Sequence, residues 1–89
     1  MKVIYEKKFL KELAKLPKNP RVVIENFIFE FLEKIDSIED IKNIKKLQGH
    51  DYAYRIRFGD YRLGFFFKDG IMSLDRIAHR SSFYRKFPH

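Results

Sequence analysis

Apolar positions along the chain keep two different rhythms, and the change falls near residue 45. Lys2 to Tyr5 is a short β-branched and aromatic run that predicts a strand. From Glu6 the spacing turns helical, with Phe9, Leu10, Leu13 and Leu16 recurring between lysines. Pro17 ends that helix, because its ring and missing N–H oppose continuation. Asn19-Pro20 reads as an N-cap with proline at the first helical position, opening a second helix to about Ile35. Ile24, Phe27, Ile28, Phe31, Leu32 and Ile35 give that helix a wide apolar face. Two antiparallel helices across a short turn make a helical hairpin. Asp36 to Asn43 is a polar connector anchored by Ile38 and Ile41, and whether it holds a helical turn is left open.

From Lys45 onward the period is two. Tyr54, Ile56 and Phe58 alternate with Arg55 and Arg57, and Tyr61, Leu63, Phe65 and Phe67 carry the alternation onward. Gly59-Asp60 between them suits a type II′ hairpin turn, which takes glycine first. Lys68-Asp69-Gly70 makes a second turn, and Ile71 to about Arg80 a final strand. The order β-α-α-β-β-β predicts an α+β fold: a small antiparallel sheet with the N-terminal helical hairpin packed on one face. With 89 residues the chain is expected to be a single domain, residues 1–89.

A two-residue turn at Gly59-Asp60 fixes the register. Phe58 then faces Tyr61, Arg57 faces Arg62, Ile56 faces Leu63 and Arg55 faces Gly64. One face of the hairpin is core. The other gathers Arg55, Arg57 and Arg62 without a carboxylate, beside a glycine that leaves room. Like charges directly opposite destabilise a strand pair, and a polyanion would reverse that cost. Arginine's planar fork suits phosphate. In the next hairpin, closure on Asp69-Gly70 puts His79 on the Arg62 face, whereas a three-residue turn puts Arg80 there. A bulge would admit both.

Composition sharpens this picture. The hydrophobic fraction of 45% and ten phenylalanines can offset chain entropy, which excludes a disordered chain. The net charge of +7 lies wholly in residues 42–89, which hold eleven Lys/Arg against Asp51, Asp60, Asp69 and Asp75, while residues 1–41 balance. Such a half points to nucleic acid, an anionic membrane or an acidic protein. There is no cysteine, so no thiolate chemistry or disulfide, and no apolar run long enough to span a bilayer or serve as a secretory signal. The cytoplasm is the expected location. His50, His79 and His89 lack close ligand spacing, so neither metal nor cofactor is expected. His79 could exchange protons near neutrality, although a lone histidine at a strand end is more often structural. Tyr84 could stack on a base, donate a hydrogen bond or pack the terminus, and Phe83 beside it is the better core candidate.

Lys45-Lys46-Leu47-Gln48-Gly49, Tyr54-Arg55-Ile56-Arg57, Gly59-Asp60-Tyr61-Arg62-Leu63, and His79-Arg80 with Tyr84 four residues beyond Arg80 together resemble the RelE branch of the RelE/ParE toxins. The resemblance spans the whole chain. It implies the toxin of a toxin–antitoxin pair, a metal-independent endoribonuclease that cuts messenger RNA in the A site of the ribosome's small subunit. It places Arg55 and Arg57 at residues that hold the RNA backbone, with Lys45, Lys46 and Arg85 joining the RNA-binding set. Arg62 and Arg80 fall on arginines that stabilise the reacting phosphate, and Tyr84 on the C-terminal tyrosine. His79 or Tyr84 is then the acid/base candidate, since no glutamate follows Glu39. The implied partners are ribosome-bound mRNA and an acidic antitoxin, the toxin alone being a monomer and the pair a higher assembly. A ParE-like gyrase inhibitor and an inactive RelE-like binding module stay open.

Overall fold

The helical spacing of Phe9 and Leu13 holds in the computed structural model, which describes residues 1–88. Strand β1 (Lys2–Tyr5) leads into helix α1 (Lys7–Ala14), whose Phe9 and Leu13 are buried one turn apart. Leu10, grouped with them by spacing, lies off that stripe and is 42% exposed. Helix α2 (Lys18–Asn26) starts earlier than Asn19-Pro20 suggests. Pro17 is its N-cap, and the Arg21 amide donates to the Pro17 carbonyl at 3.0 Å. Pro20 is tolerated in the first turn because the N–H it lacks would have no intrahelical acceptor there. The helix passes into a π turn at Phe27–Phe31, where the Leu32 amide reaches the Phe27 carbonyl at 3.0 Å. The connector does contain a turn: a 3₁₀ segment, Ile38–Asp40, whose Ser37 hydroxyl oxygen accepts from the Glu39 amide.

The sheet has five strands rather than the four that alternation suggests. Beyond β1 they are β2 (Ile44–Lys46), β3 (Ala53–Phe58), β4 (Tyr61–Lys68) and β5 (Ile71–His79), in the order β1-β5-β4-β3-β2. β1 lies parallel to β5 and every other pairing is antiparallel. A three-residue strand is too short to show a period of its own, so β2 was invisible to patterning. The hairpin of helices covers one face, where Phe9, Ile24, Ile28, Leu63, Phe65 and Leu74 are fully buried. That is the α+β arrangement the sequence predicts, except that the parallel β1 makes the sheet mixed rather than wholly antiparallel.

The opposite face carries an element the sequence did not suggest, helix α3 (Arg80–Lys86). Its Phe83, with Phe87 just beyond, packs on Ala53 and Ala78. Gly64 is why they fit: a Cβ there would lie 2.5 Å from the Phe87 ring. The space at Gly64 is therefore filled by the chain's own terminus and is not open to a ligand. Glu12 clamps the same region. Its carboxylate accepts from the Ile77 amide at 3.2 Å and pairs with Arg76 at 3.0 Å and Lys86 at 3.6 Å, joining α1, β5 and α3.

Tyr5 is the discordant core residue, since its hydroxyl is buried with no partner. Burial first, and the negative charge of Glu33 second, push the phenol above its ordinary value. The folded state therefore holds that proton more tightly than the unfolded state. This stability is complete below about pH 10 and drains away as pH rises through the folded value.

Two outcomes are expected. Gly64→Ala should lower unfolding stability in urea by about 1–3 kcal/mol through overpacking. Adding Phe87→Ala should make the pair less than additive, because the clash is then gone. Tyr5→Phe should leave the neutral-pH midpoint unchanged or raised, and should blunt the alkaline fall in thermal midpoint. An unaltered alkaline fall in that variant would assign it to another group.

Candidate nucleic-acid interface

The β3–β4 hairpin has the predicted register, with Arg57 opposite Arg62 and Arg55 opposite Gly64. Of the two turn residues only Gly59 has a positive φ, +58°, as a type II′ turn requires. The arginines thus share the face that α3 partly covers. Lys45, opposite Arg55, joins them, while Lys46, opposite Tyr54, is on the other face of the sheet.

The second hairpin does close on Asp69-Gly70, with Lys68 opposite Ile71. Left uninterrupted, that register would put His79 on the Arg62 face. A bulge prevents it: Gly64 pairs with Arg76 and Phe65 with Leu74, so Asp75 is the extra residue. One inserted residue inverts every later side chain. Ile77 enters the core, Ala78 stands opposite Arg62, and the inverted parity carries Arg80 to the arginine face. The bulge therefore does not serve both residues. His79 pairs with Tyr61 and meets its ring edge-on at 5.5 Å. Its Nδ1 accepts from the Ser81 amide at 3.1 Å, which makes it the N-cap of α3. With Nδ1 accepting, the neutral ring carries its proton on Nε2.

Main-chain carbonyls hold two of the three arginines of the β3–β4 hairpin. Arg62 donates to the Gly59 carbonyl at 2.7 Å and the Tyr61 carbonyl at 3.2 Å. Arg55 donates to the Asn43 carbonyl at 3.0 Å, and Asn43 holds a left-handed φ of 63° to present it. A carbonyl positions a guanidinium without cancelling its charge. Among the described residues, Arg55, Arg57 and Arg62 have no carboxylate within ion-pair distance. Arg80 does have one: Asp60 lies 3.7 Å away, with both side chains about two-thirds exposed, and the Arg80 amide donates to the Asp60 carbonyl at 2.7 Å. An exposed pair of that kind is weak and easily exchanged for a phosphate. The Gly59–Asp60 turn thereby gathers Arg62 and Arg80 at one end of the sheet.

Tyr84 lies one helical turn after Arg80 and is 56% exposed, while its neighbour Phe83 is fully buried. Arg85 follows, also exposed. That Asp60 and Asn43 hold the arginines is not legible in the sequence, because both act through backbone carbonyls, which carry no residue-type signal, and the Asp60 carboxylate meets Arg80 only in the fold. Charge is segregated further than the halves suggest. Residues 1–24 hold seven Lys/Arg against Glu6 and Glu12, and residues 25–41 hold six acidic residues against Lys34. The balance of the first half hides a basic α1 and an acidic stretch from α2 to the connector. Among the described residues, no helix is long and apolar enough to cross a membrane.

No family model matches the chain. The curated Toxin RelE3 of Methanocaldococcus jannaschii is 38% identical over 89 residues, covering 99% of this chain and all of its own length. In the crystal structure of the RelB-RelE antitoxin-toxin complex from Methanococcus jannaschii, a chain 34% identical superposes with a TM-score of 0.79, over 96% of this chain and 99% of that one. The archaeal RelE-RelB complex from Pyrococcus horikoshii OT3 matches with a TM-score of 0.67 at 28% identity, over 89% and 93% of the two chains. Shared sequence and shared fold run the length of both molecules, and this chain belongs to the RelE family of toxins.

Proposed function

We propose that this protein is the toxin of a type II toxin–antitoxin pair and cleaves messenger RNA in the ribosomal A site. The observation that carries this reading is the meeting of Arg62 and Arg80 at the Gly59–Asp60 turn, with Arg57 opposite Arg62 and Tyr84 one turn along α3. In such a cleavage the 2′-hydroxyl attacks the adjacent phosphorus and negative charge grows on the phosphoryl oxygens. Guanidinium groups already fixed in place stabilise that charge with little reorganisation. Arg62, anchored on two carbonyls, is suited to this, and Arg80 can leave Asp60 for the phosphate. Arg55, Arg57 and Lys45 line the path of the RNA backbone, and Arg85 extends it on α3.

Proton transfer falls to Tyr84. It is exposed on the helix that carries Arg80, whereas His79 is engaged as a helix cap and paired with Tyr61 on the opposite parity. No step calls for a metal. The free toxin is a cytoplasmic monomer, held inactive by an acidic antitoxin. The similar structures that are RelB-RelE complexes support such a partner, and so does the unneutralised arginine face.

Induction of the chain in a bacterium, followed by 5′-end mapping of mRNA on translating ribosomes, tests this. Discrete new ends within A-site codons are expected. Arg62→Ala and Arg80→Ala should each cut the cleavage rate by ~10²–10³, as removal of one charge-stabilising donor does elsewhere. Unchanged circular dichroism would show that the fold survives. Growth arrest without new ends would move the target to gyrase or another protein, and a fully toxic, folded Arg80 variant would overturn that residue's role.

A further inference from the structure

Helix α3 carries Arg80 and Tyr84, yet little in its own sequence makes it a helix. Its seven residues are two turns, far short of what stands alone in water, and its two serines are middling helix formers. Phe83, with Phe87 beyond it, anchors one side of the helix on Ala53 and Ala78. The start of the helix is held from outside it. The Arg80 amide donates to the Asp60 carbonyl at 2.7 Å, and the Ser81 amide to His79 Nδ1 at 3.1 Å. The Ser81 hydroxyl lies 2.9 Å from the same nitrogen. Histidine is not one of the usual cap residues, so its ring must be aimed to serve as one. Tyr61 does the aiming: it stands opposite His79 across β4 and β5 and meets the imidazole edge-on at 5.5 Å.

The two rings stand directly before the two arginines. Arg62 follows Tyr61 and Arg80 follows His79, so the contact between the rings ties one arginine to the other through the backbone. We propose that His79 is the positioning residue of this site: as a neutral ring it caps α3, holds Arg80 and Tyr84 in place beside Arg62, and transfers no proton to or from the RNA. Its side chain stands on the parity opposite to the arginine face, which suits a group that acts on the helix and leaves the RNA to others.

The cap works in one protonation state. A neutral Nδ1 accepts, and a protonated one donates. The Ser81 hydroxyl can turn and accept from it, but the Ser81 amide cannot, and is left facing another hydrogen. A cation at that point also opposes the positive end of the helix. Around the ring stand Glu12 and Lys15 of α1, Arg80 and Lys86 of α3, Tyr61 of β4 and Asp60 of the turn. Groups of those kinds ordinarily titrate well outside the imidazole range, so a loss of the cap near neutrality belongs to the histidine. Asparagine separates capping from proton transfer. Its side-chain oxygen lies as many bonds from the backbone as Nδ1 and accepts from the same amide, but it takes up no proton in this range. Leucine keeps similar bulk and offers no acceptor. The consequence for cleavage rests on the ribonuclease reading, whereas the capping itself does not.

Two measurements test this on the full chain. Backbone ¹³Cα shifts of α3 report the helix, and purified ribosomes carrying a defined mRNA report cleavage. In the native chain the helical shifts at the start of α3 should fade as pH falls from about 8 to about 5, the span in which imidazoles ordinarily titrate. His79→Asn should hold them level across that span, and His79→Leu should lower them throughout, with the core spectrum unchanged in both. In cleavage, His79→Leu should lower kcat by about twofold to fivefold, up to the full weight of one cap, with KM little changed. His79→Asn should restore kcat and remove its fall toward acid pH. Helical shifts that respond neither to pH nor to leucine would overturn the proposal. Equal loss of kcat in both variants would make His79 a proton-transfer group and overturn it as well. If nothing is cleaved, the ribonuclease reading fails while the shifts still decide the cap.

Discussion

The bulge at Asp75 is the constraint on which the rest of the molecule turns. A strand that alternates faithfully from Ile71 would have sent Ile77 to the outer face and Ala78 to the core. The extra residue reverses this halfway along β5. The first part of the strand then presents Met72 and Leu74 to the helical hairpin, and the second part presents Ile77 to the same core. Lys8 secures the bulged residue, its ammonium 3.3 Å from the buried Asp75 carboxylate. Glu12 caps the amide of Ile77 two residues later, where β1 has ended and the edge of β5 would otherwise stand open. Helix α1 thus stabilises an irregularity that is costly alone and that α3 requires.

Everything chemical follows from where β5 delivers the chain. Small Ala78 on the outer face lets Phe83 approach, Gly64 admits Phe87, and α3 lies down over part of the sheet. Arg80 then stands at the Gly59–Asp60 turn with Tyr84 one turn behind it. The three hairpin arginines, Arg55, Arg57 and Arg62, sit close together with no acid paired to them. Their repulsion lowers stability, and the fold limits the damage by directing Arg62 and Arg55 to main-chain oxygens. The guanidinium groups are thereby fixed yet still charged, which is the state in which an incoming phosphate gains most from them.

The division of charge complements this. Six of the twelve acidic residues crowd into residues 25–41 with Lys34 alone against them, while residues 1–24 and 42–89 each carry a basic excess. An anionic chain approaching the molecule is therefore drawn to the basic segments and away from the acidic stretch.

Alternation and turn chemistry carried the β3–β4 hairpin completely. A period of two names the faces, and glycine in first place at a two-residue turn fixes which residues stand opposite, so the arginine cluster was readable from residues 54–65. Helical spacing likewise named Phe9, Leu13, Ile24 and Ile28 as core. The whole-chain motif set named the family. Local signals failed at β2, which is too short to show a period, and at α3, whose strength comes from Phe83 and Phe87 meeting Ala53, Ala78 and Gly64 across the sheet. The start of α2 also moved, because proline in a first turn does not mark which of several residues is the cap. Placement of His79 and Arg80 was beyond any local reading. Both have the right chemistry and they are adjacent, so a shift of one residue exchanges them. That shift is made by a bulge whose partners, Lys8 and Glu12, lie more than sixty residues away in the chain, and only the folded molecule brings them together.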